Sequence, residues 1–127
     1  MRKGVALLRN KDRDNQFWPI RLHFRFNRRS KHNALIGGET LDGKRYAYMT
    51  LTHDSCSATR KSGVGRKKNL QLKHNPDPSD SDPSYLRKRV EFDDKNVFND
   101  VNRRLILDPE DAEELSEWFL NNPNCCK

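Results

Sequence analysis

Apolar and polar residues alternate along several stretches of this chain, and that period of two predicts half-buried β-strands. The clearest stretch is 20–26, where apolar side chains lie on one face and Arg21, His23 and Arg25 on the other. Shorter strands are predicted over 4–10 and 69–75, and an edge strand over 85–92. The chain therefore reads as a β-rich protein.

Residues 34–51 are predicted to form a β-hairpin. The dipeptide Asp42-Gly43 is the strongest short turn signal in the sequence. Gly37-Gly38 permits a bulge or bend in the first arm. The return arm, 45–51, places Tyr46 and Tyr48 on one face and apolar side chains on the other.

A helix is predicted near the end of the chain. Asp108 is a favoured N-cap, and Pro109 suits the first helical position. Ala112, Leu115 and Phe119 follow at i, i+3 and i+7 and form one amphipathic face. Five or so strands and this helix predict an α+β fold, a small, strongly bent antiparallel β-barrel with a C-terminal helix. The expected core comprises Leu22, Phe24, Leu35, Met49, Leu51 and Leu72, together with Leu115 and Phe119.

The length of 127 residues fits a single domain over 1–127. Three segments have loop-like composition: a basic flexible loop at 54–68, an acidic, proline-containing linker at 75–84 and a frayed tail at 122–127. The three cysteines show no Cys-x-x-Cys spacing, and no apolar run reaches the length of a membrane span. These features predict a cytoplasmic protein without a membrane segment.

Charge is unevenly distributed along the chain, which has a net charge of +7. Residues 1–74 carry 18 Lys and Arg against 5 Asp and Glu, whereas residues 75–127 carry 7 against 13. A segregated basic surface suits a polyanion, so RNA or DNA is the predicted partner. A protein partner for the basic surface, or no specific role for its charge, is the alternative.

Two cationic groups are candidates for phosphate binding. The first lies on the predicted strand and the turn after it, at Arg21, Arg25, Arg28 and Arg29. The second lies in the glycine-containing loop, at Lys61, Arg66, Lys67 and Lys68. Tyr46 and Tyr48 are candidates for base stacking, although packing is the more frequent role of such residues. The alternative for the loop is a flexible, solvated segment that is merely basic.

Thr52 and His53 stand where the aromatic strand ends and the basic loop begins. Cleavage of RNA by transesterification needs proton transfer and a cation at the phosphorane. His53 could act as base or acid, and Thr52 could bind a phosphate oxygen. The charge could be stabilised by Arg60 or by another cation of the loop, Lys61, Arg66, Lys67 or Lys68. No His-x-x-x-His or Cys/His ligand spacing occurs, so neither a metal nor another cofactor is predicted. The alternative is that Thr52 simply ends a strand and His53 is a surface residue.

The stretch "KHNALIGGETLDGKRYAYMTLTH" combines an apolar arm, a turn and an aromatic-rich return arm that ends in Leu-Thr. It resembles the core hairpin of the MazF/PemK-like toxin endoribonucleases and of the related type III toxins. The resemblance implies an SH3-like barrel, metal-independent cleavage of single-stranded RNA and, as a protein partner, an antitoxin or another host protein. Thr52 maps onto the strand-end residue of those families, His53 stands where the type III pattern has a serine, and Arg60 or Lys61 matches their cation in type.

The same sequence also resembles small uncharacterised proteins of phages and plasmids. That resemblance implies a second class of function, a non-catalytic nucleic-acid- or protein-binding module of a mobile element with a regulatory or anti-defence role. Composition agrees equally with both classes, and only the placement of Thr52 and His53 and the toxin resemblance favour the enzyme.

Overall fold

The structure is a computed structural model, and it describes residues 16–55 and 69–121. These residues form short and long antiparallel strands followed by a helix. The strands are β1 (Phe17–Asn27), β2 (His32–Thr40), β3 (Arg45–Thr52), β4 (Leu70–Gln71), β5 (Tyr85–Leu86), β6 (Glu91–Asp94) and β7 (Phe98–Val101), and the helix is α1 (Pro109–Asn121). A single 3-10 turn, Lys95–Val97, connects β6 to β7.

The sheet has the strand order β4-β5-β3-β2-β1-β7, and β6 pairs with β3 beside β5. The connected strands β6 and β7 therefore pair with β3 and β1, which lie on opposite sides of β2. This pairing curls the sheet into a half-barrel. The predicted α+β class, with a bent antiparallel sheet and a C-terminal helix, is confirmed, whereas the SH3-like assignment stays a prediction.

The β2–β3 hairpin is confirmed, with its turn at Asp42-Gly43. Gly43 has a φ of 74°, in the left-handed region that glycine adopts at little cost. The register shifts between Ile36 and Gly38, as a bulge requires. A Cβ on Gly37 would lie 2.5 Å from the ring of Phe119, so the side chain of the helix occupies the space that a larger residue would need.

Two sequence predictions about strands are wrong. A register shift between Pro19 and His23 interrupts the alternation in β1, so Ile20 and Leu22 pack into different clusters instead of sharing a face. The predicted strand 85–92 is two strands, because β5 pairs with the end of β3 whereas β6 pairs with its beginning. The chain between them must step from one part of β3 to the other, which breaks the alternating pattern.

Buried side chains form two clusters on opposite faces of the sheet. The helix-side cluster contains Phe17, Phe24, Leu35, Ala47, Met49, Leu72, Leu86, Val90, Leu115 and Phe119. The tyrosine-side cluster contains Ala34, Ile36, Tyr48 and Phe98. The core predicted from sequence is confirmed: all of its members lie in the helix-side cluster or, for Leu22 and Leu51, pack against it.

The start of α1 is fixed by two aspartates. The Asp108 carboxylate accepts the backbone N–H of Glu110 at 2.9 Å, which confirms the predicted N-cap. The buried Asp111 carboxylate accepts the backbone N–H groups of Lys73 and His74, at 3.0 and 3.1 Å, and so ties the helix to the segment after β4. Among the described residues, no helix has the length and apolar character needed to cross a membrane.

Candidate nucleic-acid interface

Arg25 of β1 is held in place by neutral groups and an aromatic ring, and no carboxylate of residues 16–55 or 69–121 forms an ion pair with it. Its guanidinium lies over the ring of Tyr46, 5.2 Å from the centroid, and its Nη1 donates to the carbonyl of Asn99 in β7 at 3.0 Å. Its Nε donates to Nε2 of His23 at 2.9 Å, while Nδ1 of His23 donates to the carbonyl of Arg21. Burial, helped by the charge of Arg25, lowers the pKa of His23, in agreement with a neutral ring that accepts this bond.

Arg28 and Arg29 are neighbours in sequence but have different partners. Arg28 donates to the carbonyl of Asn96 and, at 3.4 Å, to the side-chain oxygen of Asn99. Arg29 instead forms an ion pair with Asp93, with 2.6 Å between Nη1 and Oδ1. The acceptors that the described residues offer Arg28 are neutral, whereas Arg29 is paired with the carboxylate of Asp93.

Arg25, Arg28, Asn96 and Asn99 form a feature that we call the β1–β7 seam. Each guanidinium has five N–H donors in a planar fork. The bonds described above use two donors of each arginine. The remaining donors, on side chains that are already fixed in position, suit a phosphate group.

The two tyrosines pack against neighbouring side chains. Arg25 and the Nζ atom of Lys95 each lie 5.2 Å from the centre of the Tyr46 ring, and Phe98 contacts it edge-on at 5.4 Å. Tyr48 is 3% exposed and belongs to the tyrosine-side cluster. Packing is therefore the observed role of both rings; Tyr48 is too buried to stack on a base, whereas stacking on Tyr46 stays a prediction.

Asp93 is the centre of a polar network that the sequence does not reveal. Its carboxylate accepts the hydroxyl of Tyr48 at 2.6 Å, the amide of Asn27 at 3.2 Å and Arg29 at 2.6 Å. Burial and then the bond to Asp93 raise the pKa of Tyr48 well above its ordinary value, so the hydroxyl stays protonated and donates. These groups come from β1, β3 and β6, so no local pattern brings them together.

Arg21 lies at a groove where the bulge of β1 faces the segment after β7. The groove has a volume of about 550 Å³. Its lining includes the apolar side chains Leu22, Leu105 and Leu107 and, as cations, Arg21 and Arg103. Ile106, which is 64% exposed, stands beside them, and no lining residue is an aspartate or glutamate.

Thr52 and His53 lie at the end of β3 beside acidic residues. The hydroxyl of Thr52 accepts the backbone N–H of Asp54 at 3.1 Å. In His53, Nδ1 donates to the carbonyl of Pro83 at 3.0 Å, and Nε2 lies 3.0 Å from the carboxylate of Asp80. The bond to Pro83 and the charges of Asp80 and Asp82 raise the pKa of His53. The imidazole is therefore placed to be protonated.

The acidic loop, residues 75–84, is built around Asn75. The Asn75 amide donates to the carbonyls of Asp80 and Asp82 at 2.8 and 2.5 Å, and its oxygen accepts the hydroxyl of Ser84 at 3.2 Å. Pro76 is fully buried and its carbonyl accepts the N–H of Ile106 at 2.9 Å. This segment, expected to be a solvated linker, thus packs against the rest of the described chain and faces His53.

The predicted site residues that the structure describes separate into four groups. Arg25 and Arg28 meet at the seam, Arg21 lies at the groove, and Arg29 joins the Asp93 network. Thr52 is bonded to Asp54, and His53 contacts Asp80 and Pro83. Within the part of the chain that the structure describes, neither residue contacts Arg21, Arg25, Arg28 or Arg29. Arg60, Lys61, Arg66, Lys67 and Lys68 lie outside the described residues.

One group of side chains at the start of α1 has the donor types of a metal site. Nε2 of His74 lies 3.1 Å from Oε1 of Glu110 and 3.7 Å from Oδ1 of Asp108. The bond to Glu110 raises the pKa of His74, which favours a protonated ring between the two carboxylates, and a metal would have to displace that proton. The positive end of the helix dipole also opposes a cation there.

The described surface thus has a cationic part and an acidic part. The seam and the groove carry four arginines, Arg21, Arg25, Arg28 and Arg103, whereas the acidic loop carries Asp77, Asp80 and Asp82. Comparison with protein-family models, curated proteins and solved structures finds no match for this chain. Of these surfaces, the seam is the one whose chemistry suits the phosphates of a nucleic acid.

Proposed function

We propose that the chain binds nucleic acid, with RNA as the first expectation, along the β1–β7 seam. The observation that supports this best is that Arg25 and Arg28 are fixed by neutral acceptors in β7 and in the turn before it. An arginine that is already oriented loses less side-chain entropy when it binds a phosphate. Its charge also remains available, because no carboxylate among the described residues pairs with it.

The neighbouring arginines offer a matched test. Arg28→Gln removes a charge of the seam whose described acceptors are neutral, whereas Arg29→Gln removes a charge that is paired with Asp93. Each phosphate contact contributes about −0.7 to the log–log salt slope for a single strand. We therefore expect Arg28→Gln to make that slope shallower by roughly this amount, and Arg29→Gln to change it much less.

The measurement is fluorescence anisotropy with labelled RNA and DNA oligonucleotides over a range of salt concentrations. Arg87→Gln serves as a distant control, because Arg87 is exposed and follows β5, which β3 and β2 separate from β1. Absence of association with either nucleic acid at low salt would show that the seam serves something else. Equal effects of the three substitutions would leave only a diffuse, non-specific attraction.

Cleavage of RNA at Thr52 and His53 is a second proposal. The observation that favours it is the pairing of His53 with Asp80 and the Pro83 carbonyl, which raises the pKa of the ring. A raised pKa suits the general acid that supplies a proton to the leaving 5′-oxygen, rather than the base that accepts the proton of the attacking 2′-OH. The predicted cation of this site, Arg60, lies outside the described residues.

The assay is a labelled single-stranded RNA incubated with the wild type and with single variants, with and without chelator. His53→Ala should slow cleavage by about 10²–10⁴-fold if the ring transfers a proton. Thr52→Ala should cost less, because it removes a neutral hydrogen bond worth roughly 0.5–1.5 kcal/mol. Chelator should have no effect. Wild type that binds RNA without cutting it would assign the protein to the non-catalytic class.

Asp80→Asn adds a sharper control for the role of His53. It removes the carboxylate next to Nε2 but leaves the ring and the Pro83 carbonyl in place. If His53 is the acid, the fall of activity on the alkaline side should move to lower pH. An unchanged pH profile in Asp80→Asn, or cleavage that survives His53→Ala, would mean that the catalytic acid lies elsewhere.

A further inference from the structure

The groove next to Arg21 has the composition of a binding site rather than of a packing defect. Its volume of about 550 Å³ lies within the range of roughly 300–1,000 Å³ that is usual for ligand sites. Leu22, Leu105 and Leu107 give it an apolar lining, and Ile106 stays 64% exposed beside them. An isoleucine this exposed leaves apolar surface in water that a ligand could cover.

The charged residues that line the groove are of one sign. Arg21 and Arg103 contribute cations, and no aspartate or glutamate is among the lining residues. An occupant should therefore combine an apolar surface with negative charge. A nucleotide has both, because the faces of its base are apolar and its phosphate is an anion.

The groove is also continuous with the β1–β7 seam. Val101, which lines the groove, pairs with Arg25 of the seam in the β1–β7 register. The carbonyl of Phe24 accepts the N–H of Asn102 at 2.7 Å, so β1 and the segment after β7 stay joined where the groove begins. A strand whose phosphates lie along Arg25 and Arg28 would thus reach the groove with its next nucleotides.

We infer that this groove receives an unstacked base of a single-stranded nucleic acid, with Arg21 and Arg103 at the adjoining phosphates. The inference rests on the nucleic-acid binding proposed above, and it adds the class of substrate, a single strand with an unstacked base. Bases in a duplex are stacked and paired, so they cannot enter a lateral groove, whereas a single strand can turn one base outward. A single strand fits better than an acidic peptide because the cationic surface continues from the groove onto the seam.

The test compares two exposed apolar residues. Ile106→Ser removes the apolar side chain at the groove. Leu41→Ser removes an apolar side chain in the β2–β3 turn, where Leu41 is 45% exposed. The probes are a labelled single-stranded RNA, the same strand with abasic nucleotides, and its duplex. We expect Ile106→Ser to weaken binding of the intact strand about three- to tenfold, with the salt slope unchanged.

The abasic strand separates the base from the phosphates, since it keeps the charge. It should bind the wild type less tightly than the intact strand, and Ile106→Ser should not weaken it further. A second pair of variants tests the cations of the groove. Arg103→Gln should make the salt slope shallower, whereas Arg104→Gln should have less effect because Arg104 does not line the groove.

Three results would overturn the inference but not the proposed function: equal effects of Ile106→Ser and Leu41→Ser, an abasic strand that binds as tightly as the intact strand, or a duplex that does so. In each case Arg28-dependent binding would still support the proposed function. Failure of every probe to bind at low salt would remove the proposed function and this inference together. Preferential binding of a peptide of alternating Glu and Leu, lost in Ile106→Ser, would assign the groove to a protein partner.

Discussion

The two faces of the sheet are built from the same strands but differ in how they are held together. β3 sends Ala47 and Met49 into the helix-side cluster and Tyr46 and Tyr48 to the opposite face. The helix-side cluster consists of apolar side chains. The tyrosine-side cluster is small and adjoins the Asp93 network and the cation that lies over Tyr46.

This difference separates stability from the placement of charge. Apolar burial is strong but has no direction, so the helix-side cluster can stabilise the sheet without fixing any polar atom. Hydrogen bonds have direction, so the bonds of Arg25 and Arg28 to Asn99 set where the seam presents its positive charge. Substitutions on each face test whether stability and the placement of charge are separate.

The largest effect is expected on the helix side, from Phe119→Ala. Phe119 is 1% exposed and packs against Phe17 and Gly37. Its truncation should lower the free energy of unfolding by about 3–5 kcal/mol, because it leaves a cavity as well as losing burial. Urea unfolding measures this, and Glu117→Ala, an exposed position of the same helix, should change stability by less than about 0.5 kcal/mol.

The salt slope of nucleic-acid binding by the folded fraction is the second measurement on Phe119→Ala. It should match the wild type under conditions where the variant remains folded, since Arg25 lies over Tyr46, across the sheet from the helix-side cluster. The salt slope is the readout because Leu22, Leu105 and Leu107, which line the groove, pack against that cluster and so couple affinity to it. A changed salt slope in the folded protein would show that the two faces are coupled, and the separation of stability from charge placement would fail.

A smaller effect is expected on the tyrosine side, from Asp93→Asn. The carboxylate of Asp93 accepts hydrogen bonds from Tyr48, Asn27 and Arg29. In the Asp93→Asn variant the amide NH₂ group can only donate, so at least one of these bonds would be lost. We expect a loss of about 1–3 kcal/mol in the free energy of unfolding, the usual cost of unsatisfied or weakened buried bonds. The pKa of Tyr48 should also fall toward its ordinary value of 10, which ultraviolet titration can follow.

Asp94→Asn is the matched control for Asp93→Asn, because Asp94 is the next residue of β6 and is exposed. It should leave both stability and the titration of Tyr48 close to wild type. Equal losses in the two variants would show that general charge balance, and not the network around Asp93, accounts for the effect.

Local patterns predicted those parts of the fold that local sequence determines. The dipeptide Asp42-Gly43 determines the turn in which it lies, and the capped, amphipathic segment from Asp108 to Phe119 determines the helix. The strand β7 was not predicted, because its sequence has one buried residue, Phe98, and pairing with β1 is what stabilises it. The bulge of β1 was missed for a similar reason, since it depends on the pairing with β2, where Pro19 lies opposite Gly38 and His23 opposite Ile36.

The candidate site was predicted in composition but not in arrangement. Sequence located the arginines of β1, yet nothing local distinguishes Arg28 from Arg29, because their partners come from 64 to 71 residues further along the chain. The Arg103 side of the groove was missed, since a short cationic pair after β7 has no pattern of its own. The proximity of the acidic loop to His53 also depends on the packing of β5 against β3.

The smallest effect is expected from two histidines whose pKa values move in opposite directions. Pro83 and the nearby acids raise the pKa of His53 above 6.5, so its stabilising contribution is complete below that pH and is lost as pH rises. Burial lowers the pKa of His23 below 6.5, so its contribution is present above that pH and is lost as pH falls. Urea unfolding from about pH 5.5 to about pH 8.5 should therefore show the deficit of His53→Gln shrinking with rising pH and that of His23→Gln growing. If the stability deficits of the two variants change in the same direction with pH, then the surroundings do not shift the pKa values of His23 and His53 in opposite directions.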